Sequence, residues 1–261
     1  MPKGSVWDLV KKRWDDFNGA GGTNEGYNDF AAPVSAYGEA VQLEEPWEAW
    51  WVKMLKWAVD AAEGVAHLAK HDIVHRDLAA RNLLVDGNDR VKIADFGLAI
   101  HVESTHTSIA QKDQVKAWKS RAPELIDIDT VRTDEEKSLI SNPATDAYSF
   151  GMCLYEMTTG KEPWETEPEV HQTTISRRVK GDLAGCPPLR EDARISPQWR
   201  GVSHEIPESV ADTMMYHAPR AAPVINLFCT LMRKLWACRP ADRPPVQEAY
   251  VLLRDLLHDQ Y

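Results

Sequence analysis

The stretch His75-Arg76-Asp77-Leu78-Ala79-Ala80-Arg81-Asn82 decides the reading of this chain. Two shorter groups follow it, Asp95-Phe96-Gly97 and then Ala122-Pro123-Glu124. Singly they say little: His-Arg-Asp is a common tripeptide, Asp-Phe-Gly usually marks a turn, and Ala-Pro-Glu usually opens a helix, because a short motif match is only a hypothesis. Together, in this order and within one domain's length, they leave almost no room for chance. Asp77 and Asn82 lie five residues apart, close enough to project from one short loop.

Immediately downstream, Leu83-Leu84-Val85 and Val91-Lys92-Ile93 read as two short strands, with Asp86-Gly87-Asn88-Asp89 turning between them. This hairpin carries Asp95 back toward Asn82. Upstream, Pro46 precedes a long helix over 47–70, with Trp51, Leu55, Ala58, Ala62, Val65 and Ala69 as its buried stripe. Trp47 and Trp50 read either as core or as residues packing on an insertion, the second being preferred. Nearer the start, Val6, Leu9, Val10 and Trp14 share one helical face, with Ser5 placed to cap it.

Past the third motif, a helix runs from the Asp146 region to about Thr158, with Gly160 as its stop. Another helix is expected over 169–180, and two more near 224–236 and 245–258. In the last of these, Ala249, Leu252, Leu253 and Leu256 repeat at core spacing. Residues 18–46, rich in Gly, Asn, Ala and Pro, read as a loop insertion, as do the acidic-polar 125–142 and the Pro-rich 184–222. No internal repeat or low-complexity tract is visible.

Composition bounds the class. The 261 residues suffice for one sizeable core, and 43% hydrophobic with 27% charged residues is ordinary for a soluble globular protein. A net charge of -10 argues against a nucleic-acid partner, which needs clustered Lys and Arg. Cys153, Cys186, Cys229 and Cys238 lack Cys-x-x-Cys spacing and read as reduced thiols. There is no apolar run of about eighteen residues to span a membrane, and the start lacks a signal peptide's apolar core. Pro2 excludes N-myristoylation. The expected location is cytoplasmic.

The three motifs together resemble the signature set of the eukaryotic protein kinases. The likeness is closest to the tyrosine-kinase and tyrosine-kinase-like branches, because Ala79-Ala80-Arg81 stands where serine/threonine kinases carry Lys-Pro-Glu. The resemblance implies ATP-dependent phosphoryl transfer to a protein substrate, with Mg²⁺ as the metal. It assigns Asp77 as catalytic base and Arg81 as the residue contacting the base and the transferred phosphate. Asn82 and Asp95 become the metal ligands, an amide oxygen and a carboxylate suiting a hard cation. It makes Arg76 an anchor for a phosphorylated activation segment. Phe96 packs inward to set the facing of Asp95, and Gly97 takes angles a Cβ would resist. Residues 98–121 become the activation segment, with Ser104, Thr105, Thr107 and Ser108 as candidate phosphosites. His75, Glu124, Asp146 and Arg243 take structural roles: His75 holds the loop, Asp146 receives loop amides while as a lone Asp it also reads as the cap of its helix, and Arg243 pairs with Glu124.

Two departures leave the choice between tyrosine and serine/threonine open. No Tyr lies between Gly97 and Glu124, and Trp118 sits further upstream of Ala122 than in tyrosine kinases. The fold class expected is mainly α: a kinase-like C-terminal lobe with a short β-hairpin at the catalytic site, the helix at 4–16 resembling the one that follows the interlobe hinge. The N-terminal lobe is expected to be absent, since no Gly-x-Gly-x-x-Gly and no Val-Ala-x-Lys strand occur. Three readings follow: a kinase whose N-lobe is missing from the recorded sequence, with this part inactive alone; a non-catalytic C-lobe binding or scaffold module; or a lobe completed in trans.

Overall fold

The longest helix, α2 (Trp47–Lys70), is the element on which the rest is laid. Its sequence has no internal Pro and no β-branched run. It starts just after Pro46, and it stops where Asp72 takes a left-handed φ of 54°. A computed structural model of the chain describes residues 3–19, 46–102, 120–125, 141–163, 219–237 and 239–260. Within it, Trp51, Leu55, Ala58, Ala62 and Val65 are buried as the stripe predicts, while Ala69 is only half-buried. The buried band is wider than that stripe, adding Trp50, Met54, Trp57 and Ala61. Trp50 is thus a core residue and not an insertion-packing one: it meets the edge of Trp57 at 5.6 Å between ring centres.

Helix α1 (Val6–Gly19) begins with a reciprocal cap. The Asp8 backbone N–H donates to Ser5 Oγ at 3.1 Å, while the Ser5 N–H and hydroxyl donate to Asp8 Oδ2 at 3.0 and 2.7 Å. Val6, Val10 and Trp14 face the core and Leu9 is half-buried. From the same helix the buried Arg13 guanidinium lies 4.7 Å from the Trp47 ring and 5.5 Å from that of Trp50, a cation held over aromatic faces.

The hairpin forms as predicted from β3 (Leu83–Val85) and β4 (Val91–Ile93), pairing Leu83 with Ile93 and Val85 with Val91. The Asp86 carboxylate closes the turn by accepting from Asn88 and Arg90 N–H, and Asp89 takes φ 61°. Asp60 of α2 accepts the Val91 N–H at 2.9 Å, and Gly64 of α2 lets the hairpin approach, since a Cβ there would meet Ile93 Cδ1 at 2.8 Å. Two further pairings have no counterpart in the sequence reading. β1 (Gly4–Ser5) joins the other edge of β3, giving the order β1-β3-β4, and β2 (Ile73–Val74) pairs with β5 (Ile100–His101). Ladders two residues long carry no readable alternation.

Helix α3 (Pro143–Thr159) is buried on nearly every face, its polar Thr145, Asp146, Ser149, Glu156 and Thr158 included. Its N-cap is Asn142, whose side chain accepts the Ala144 N–H at 2.8 Å, with Pro143 in the first turn. Asp146 therefore does not cap this helix; it lies one turn inside, which frees its carboxylate for the loop. Gly160 stops the helix at φ 63°, as expected. α4 (Ala222–Leu235) and α5 (Val246–Gln260) close the bundle, α5 lying along α2 and α4 along α3. Ala249 and Leu253 are buried and Leu256 packs at the core's margin, but Leu252 is 38% exposed, because it falls on the outer face of α5. The described part is mainly α with short strands. The helix expected over 169–180, most of the insertions over 18–46 and 184–222, and residues 126–140 of the third lie outside the described residues; Leu125 sits in a short turn.

Gly160 is doubly constrained: beyond its left-handed φ, a Cβ there would lie 2.2 Å from Trp14 Cδ1. Gly160→Ala should destabilise the chain by about 2 kcal/mol or more, from overpacking added to backbone strain. Thermal unfolding followed by circular dichroism should show a fall of several degrees; an unchanged midpoint would show that Trp14 does not pack on this stop.

Candidate functional site

A loop buried against a helix must place its backbone N–H groups on acceptors. The loop from His75 to Asn82 does so with two carboxylates from α3. Asp146, 2% exposed, accepts the His75 N–H at 2.6 Å on Oδ2 and the Arg76 N–H at 3.0 Å on Oδ1. Burial pushes the Asp146 carboxyl upward from its usual range, with the two amides pulling the other way. Arg76 adopts φ 69°, the left-handed region that non-glycine residues seldom take. Further along α3, buried Glu156 accepts the Ala80 N–H at 2.7 Å. Burial raises its carboxyl from 4.5 to about 7.

His75 links the loop to the hairpin. Its Nδ1 accepts the Asp77 N–H at 3.3 Å and its Nε2 lies 3.0 Å from the Ala94 carbonyl. A backbone N–H only donates and a carbonyl only accepts, so the buried ring is neutral with its proton on Nε2. Ala94 in turn donates to the Asn82 carbonyl at 2.9 Å. Ala94 is tied on both sides, and Asp95 follows it directly.

The Asp77 carboxylate is held by two side chains. Arg81 Nη2 donates to Oδ1 at 2.6 Å, and Asn82 Nδ2 donates to Oδ2 at 3.0 Å and to the Asp77 carbonyl at 2.6 Å. With its NH₂ turned to Asp77, Asn82 keeps its amide oxygen for another partner. Asp95, an exposed residue, sits at φ 62°, ψ 67° and accepts the Gly97 N–H at 3.4 Å. The left-handed residue is therefore Asp95 and not Gly97. The lack of a Cβ at Gly97 matters for room, since a Cβ there would lie 3.3 Å from Asp95 Oδ1. Phe96 does not pack inward: it is 48% exposed, and among the described residues an edge-on contact with the His75 ring at 5.1 Å engages it.

Glu124 and Arg243 form a two-pronged pair, Nη1–Oε1 2.6 Å and Nη2–Oε2 2.8 Å. The Arg243 side chain has no exposure and that of Glu124 has 19%. Arg243 also donates from Nε to the Ala237 carbonyl and from Nη1 to that of Ala144, and it lies over the Tyr148 ring. The pair thus locks the third motif to the start of α3. Ser104, Thr105, Thr107 and Ser108 lie outside the described residues.

The sequence reading missed Glu156 and Arg121. Glu156 repeats no motif, and only its place on an all-buried helix marks it. Arg121 precedes Ala122 directly; burial lowers its guanidinium's proton affinity and the Asp77 charge opposes this, with Arg76 and Arg81 adding like charge nearby.

Oxygen donors decide which cation could be held. Among the described residues no cluster of three or more His, Cys, Asp or Glu has metal-holding geometry. Asp95 with the Asn82 amide oxygen is a sparse hard set, the kind with which Mg²⁺ is held jointly with phosphate oxygens and water. The residues present fit that ion.

The fold thus sets a held carboxylate, Asp77, beside the Asn82 amide on a helical lobe. The family model for protein tyrosine and serine/threonine kinases matches residues 39–253. The chain belongs to that family. It is similar to the LRR receptor-like serine/threonine-protein kinase ERL2 of Arabidopsis thaliana, with 35% identity over 181 residues, 68% of this chain and 14% of that protein. It is also similar to the proto-oncogene serine/threonine-protein kinase mos of Mus musculus, with 30% identity over 136 residues, 51% of this chain and 37% of that protein. The chain thus spans well under two thirds of the relatives it matches. No helix among the described residues is long and apolar enough to cross a membrane.

Removing one partner of a buried ion pair strands the other, at a cost of about 3–5 kcal/mol. Arg243→Ala should therefore lower the melting temperature strongly; a change under about 1 °C would reject the pairing, since ~1 kcal/mol moves a domain of this size by a few degrees. The second expectation concerns pH. The folded chain holds the Glu156 proton more tightly than the unfolded chain does. The stability from this group is in full force below pH 4.5 and is lost as pH rises through about 7. Glu156→Gln should remove this component, so urea midpoints of wild type and variant should diverge between these limits, the wild type declining relative to the variant. Parallel profiles would show that Glu156 does not titrate there.

Proposed function

We propose that this chain carries the base-and-metal half of an ATP-dependent protein kinase site. The reading rests above all on Asp77, held by Arg81 and Asn82 while the Asn82 amide oxygen stays available. Asp77 accepts the proton of an attacking protein hydroxyl. Asp95 and Asn82 would hold Mg²⁺, which when bound would supply positive charge against the nucleotide's phosphates. Arg81 keeps the carboxylate oriented and brings a positive charge to the same spot. Neutral His75 keeps the base loop and the Asp95 hairpin in fixed relation.

No Gly-rich phosphate loop and no Val-Ala-x-Lys strand occur in these 261 residues. The roof over adenine and the cation on the phosphates would therefore be supplied by further sequence of the same gene product or by a second polypeptide. Loss of even one preorganised charge-stabilising group costs about 10²–10³ in rate, so residues 1–261 alone should turn over near background. The substrate is a protein, and the compartment in keeping with the reduced-thiol pattern is the cytoplasm.

The test is phosphoryl transfer from Mg-ATP to peptides bearing Ser, Thr or Tyr. The full gene product should transfer phosphate and lose it by about 10³-fold or more in Asp77→Asn, a typical scale for a general base compounded with its electrostatic role. Residues 1–261 should show none above background. Robust transfer by residues 1–261, abolished by Asp77→Asn, would overturn the half-site reading. Transfer by the full product that survives Asp77→Asn would overturn the base assignment.

A further inference from the structure

We infer that Glu156 is a positioning residue for the base: by holding the Ala80 N–H from inside α3, it sets the turn that lays Arg81 on Asp77. The consequence for catalysis rests on the phosphoryl-transfer reading; the positioning itself does not.

Ala80–Asn82 is a single 3-10 turn following extended Ala79, closed by Asn82 N–H on the Ala79 carbonyl and Leu83 N–H on that of Ala80. In so short a turn the first N–H groups have no acceptor within the turn itself. Ala80 is completely buried, so its N–H cannot turn to solvent. Leaving it unpaired would cost the whole desolvation of an amide. Glu156 Oε2, at 2.7 Å, is the acceptor the structure provides.

Arg81 is the next residue, and its side chain is 43% exposed. Its contact with Asp77 is an i,i+4 pair, and partly exposed pairs of this kind hold themselves together only weakly. A 2.6 Å contact at that exposure therefore depends on where the backbone presents the side chain. That backbone is clamped at both ends by α3: Asp146 takes the amides before Asp77, and Glu156 takes the amide after it. The two acceptors lie about 15 Å apart along the helix axis, a rigid ruler against which the loop is stretched. Asp77 sits between the clamps.

The arrangement also imposes a sequence rule. It needs a residue with an N–H at position 80. Proline has none, so Ala80→Pro would remove the donor that Glu156 receives. Burial favours the neutral form of Glu156, which still has a carbonyl oxygen to accept with. Glutamine offers the same oxygen at the same reach, and leucine offers none.

The test compares wild type, Glu156→Gln, Glu156→Leu and Ala80→Pro. Amide exchange by NMR on the 261-residue chain should show Ala80 exchanging about tenfold or more faster in Glu156→Leu, while core amides such as Leu55 and Leu253 keep their wild-type rates. Glu156→Gln should retain most of the Ala80 protection. In a form of the protein that transfers phosphate, Glu156→Leu and Ala80→Pro should lower kcat about tenfold or more with peptide KM little changed, and Glu156→Gln should restore most of the loss. Equal Ala80 exchange in wild type and Glu156→Leu would overturn the inference. So would acceleration shared equally by the core amides, or a Glu156→Gln variant as impaired as Glu156→Leu. If wild type transfers no phosphate in any form, the kinase reading fails while the exchange result still decides this one.

Discussion

Buried amides need acceptors, and in this chain the need falls on one loop. His75, Arg76 and Ala80 point their N–H groups at a helix that is buried on nearly all sides, and two carboxylates from that helix receive them. Each carboxylate is itself costly to bury, and each becomes tolerable because it is hydrogen-bonded. The cost is shared between loop and helix, so neither element is satisfied without the other. Everything chemical follows from this mutual dependence. It places Asp77, the His75 ring reaches the hairpin, and the hairpin carries Asp95. The Glu124–Arg243 pair performs a similar service for the third motif, tying it to the start of the same helix through the Ala144 carbonyl.

How much of this was legible beforehand depends on the range of the interaction. Local signals read well: the Ser5 cap, the Asp86–Asp89 turn, the long amphipathic stretch of α2 and the Gly160 stop. The motif residues gave the Glu124–Arg243 pair and the Asp146 anchor, although the pairs lie far apart in the chain. What escaped was set by packing alone. Leu252 shares the apolar character of Leu253, and only the rotation of α5 decides which one is buried. Trp50, for which packing on an insertion was preferred over a core place, is buried because α2 is enclosed on several faces and not along one stripe. Phe96 and Gly97 exchanged expected properties with their neighbours: the strained backbone belongs to Asp95 and the exposed ring to Phe96. Glu156 had no motif to announce it, since its role is defined only by the amide it meets.

The corrections share a physical cause. A helix buried all round loses the periodicity that distinguishes inside from outside, so α3 could be located, and Asp146 assigned by its motif, but Glu156 could not be singled out. Asp146 looked like a cap because a lone Asp near a helix start usually is one. Asn142 takes that task four residues earlier. Releasing Asp146 from capping is what allows it to serve the loop.

The first residues of the described chain acquire an unexpected importance. Lys3 donates its N–H to the Val85 carbonyl at 2.8 Å, Gly4 and Ser5 pair with Val85 and Leu84, and Ser5 is the cap of α1. A two-residue strand thus stitches the start of α1 to the hairpin whose far strand ends at Ile93, two residues before Asp95. Mechanically it is a crank: any tug on the backbone at Lys3 is delivered through β3 and β4 to the residue proposed to grip the metal.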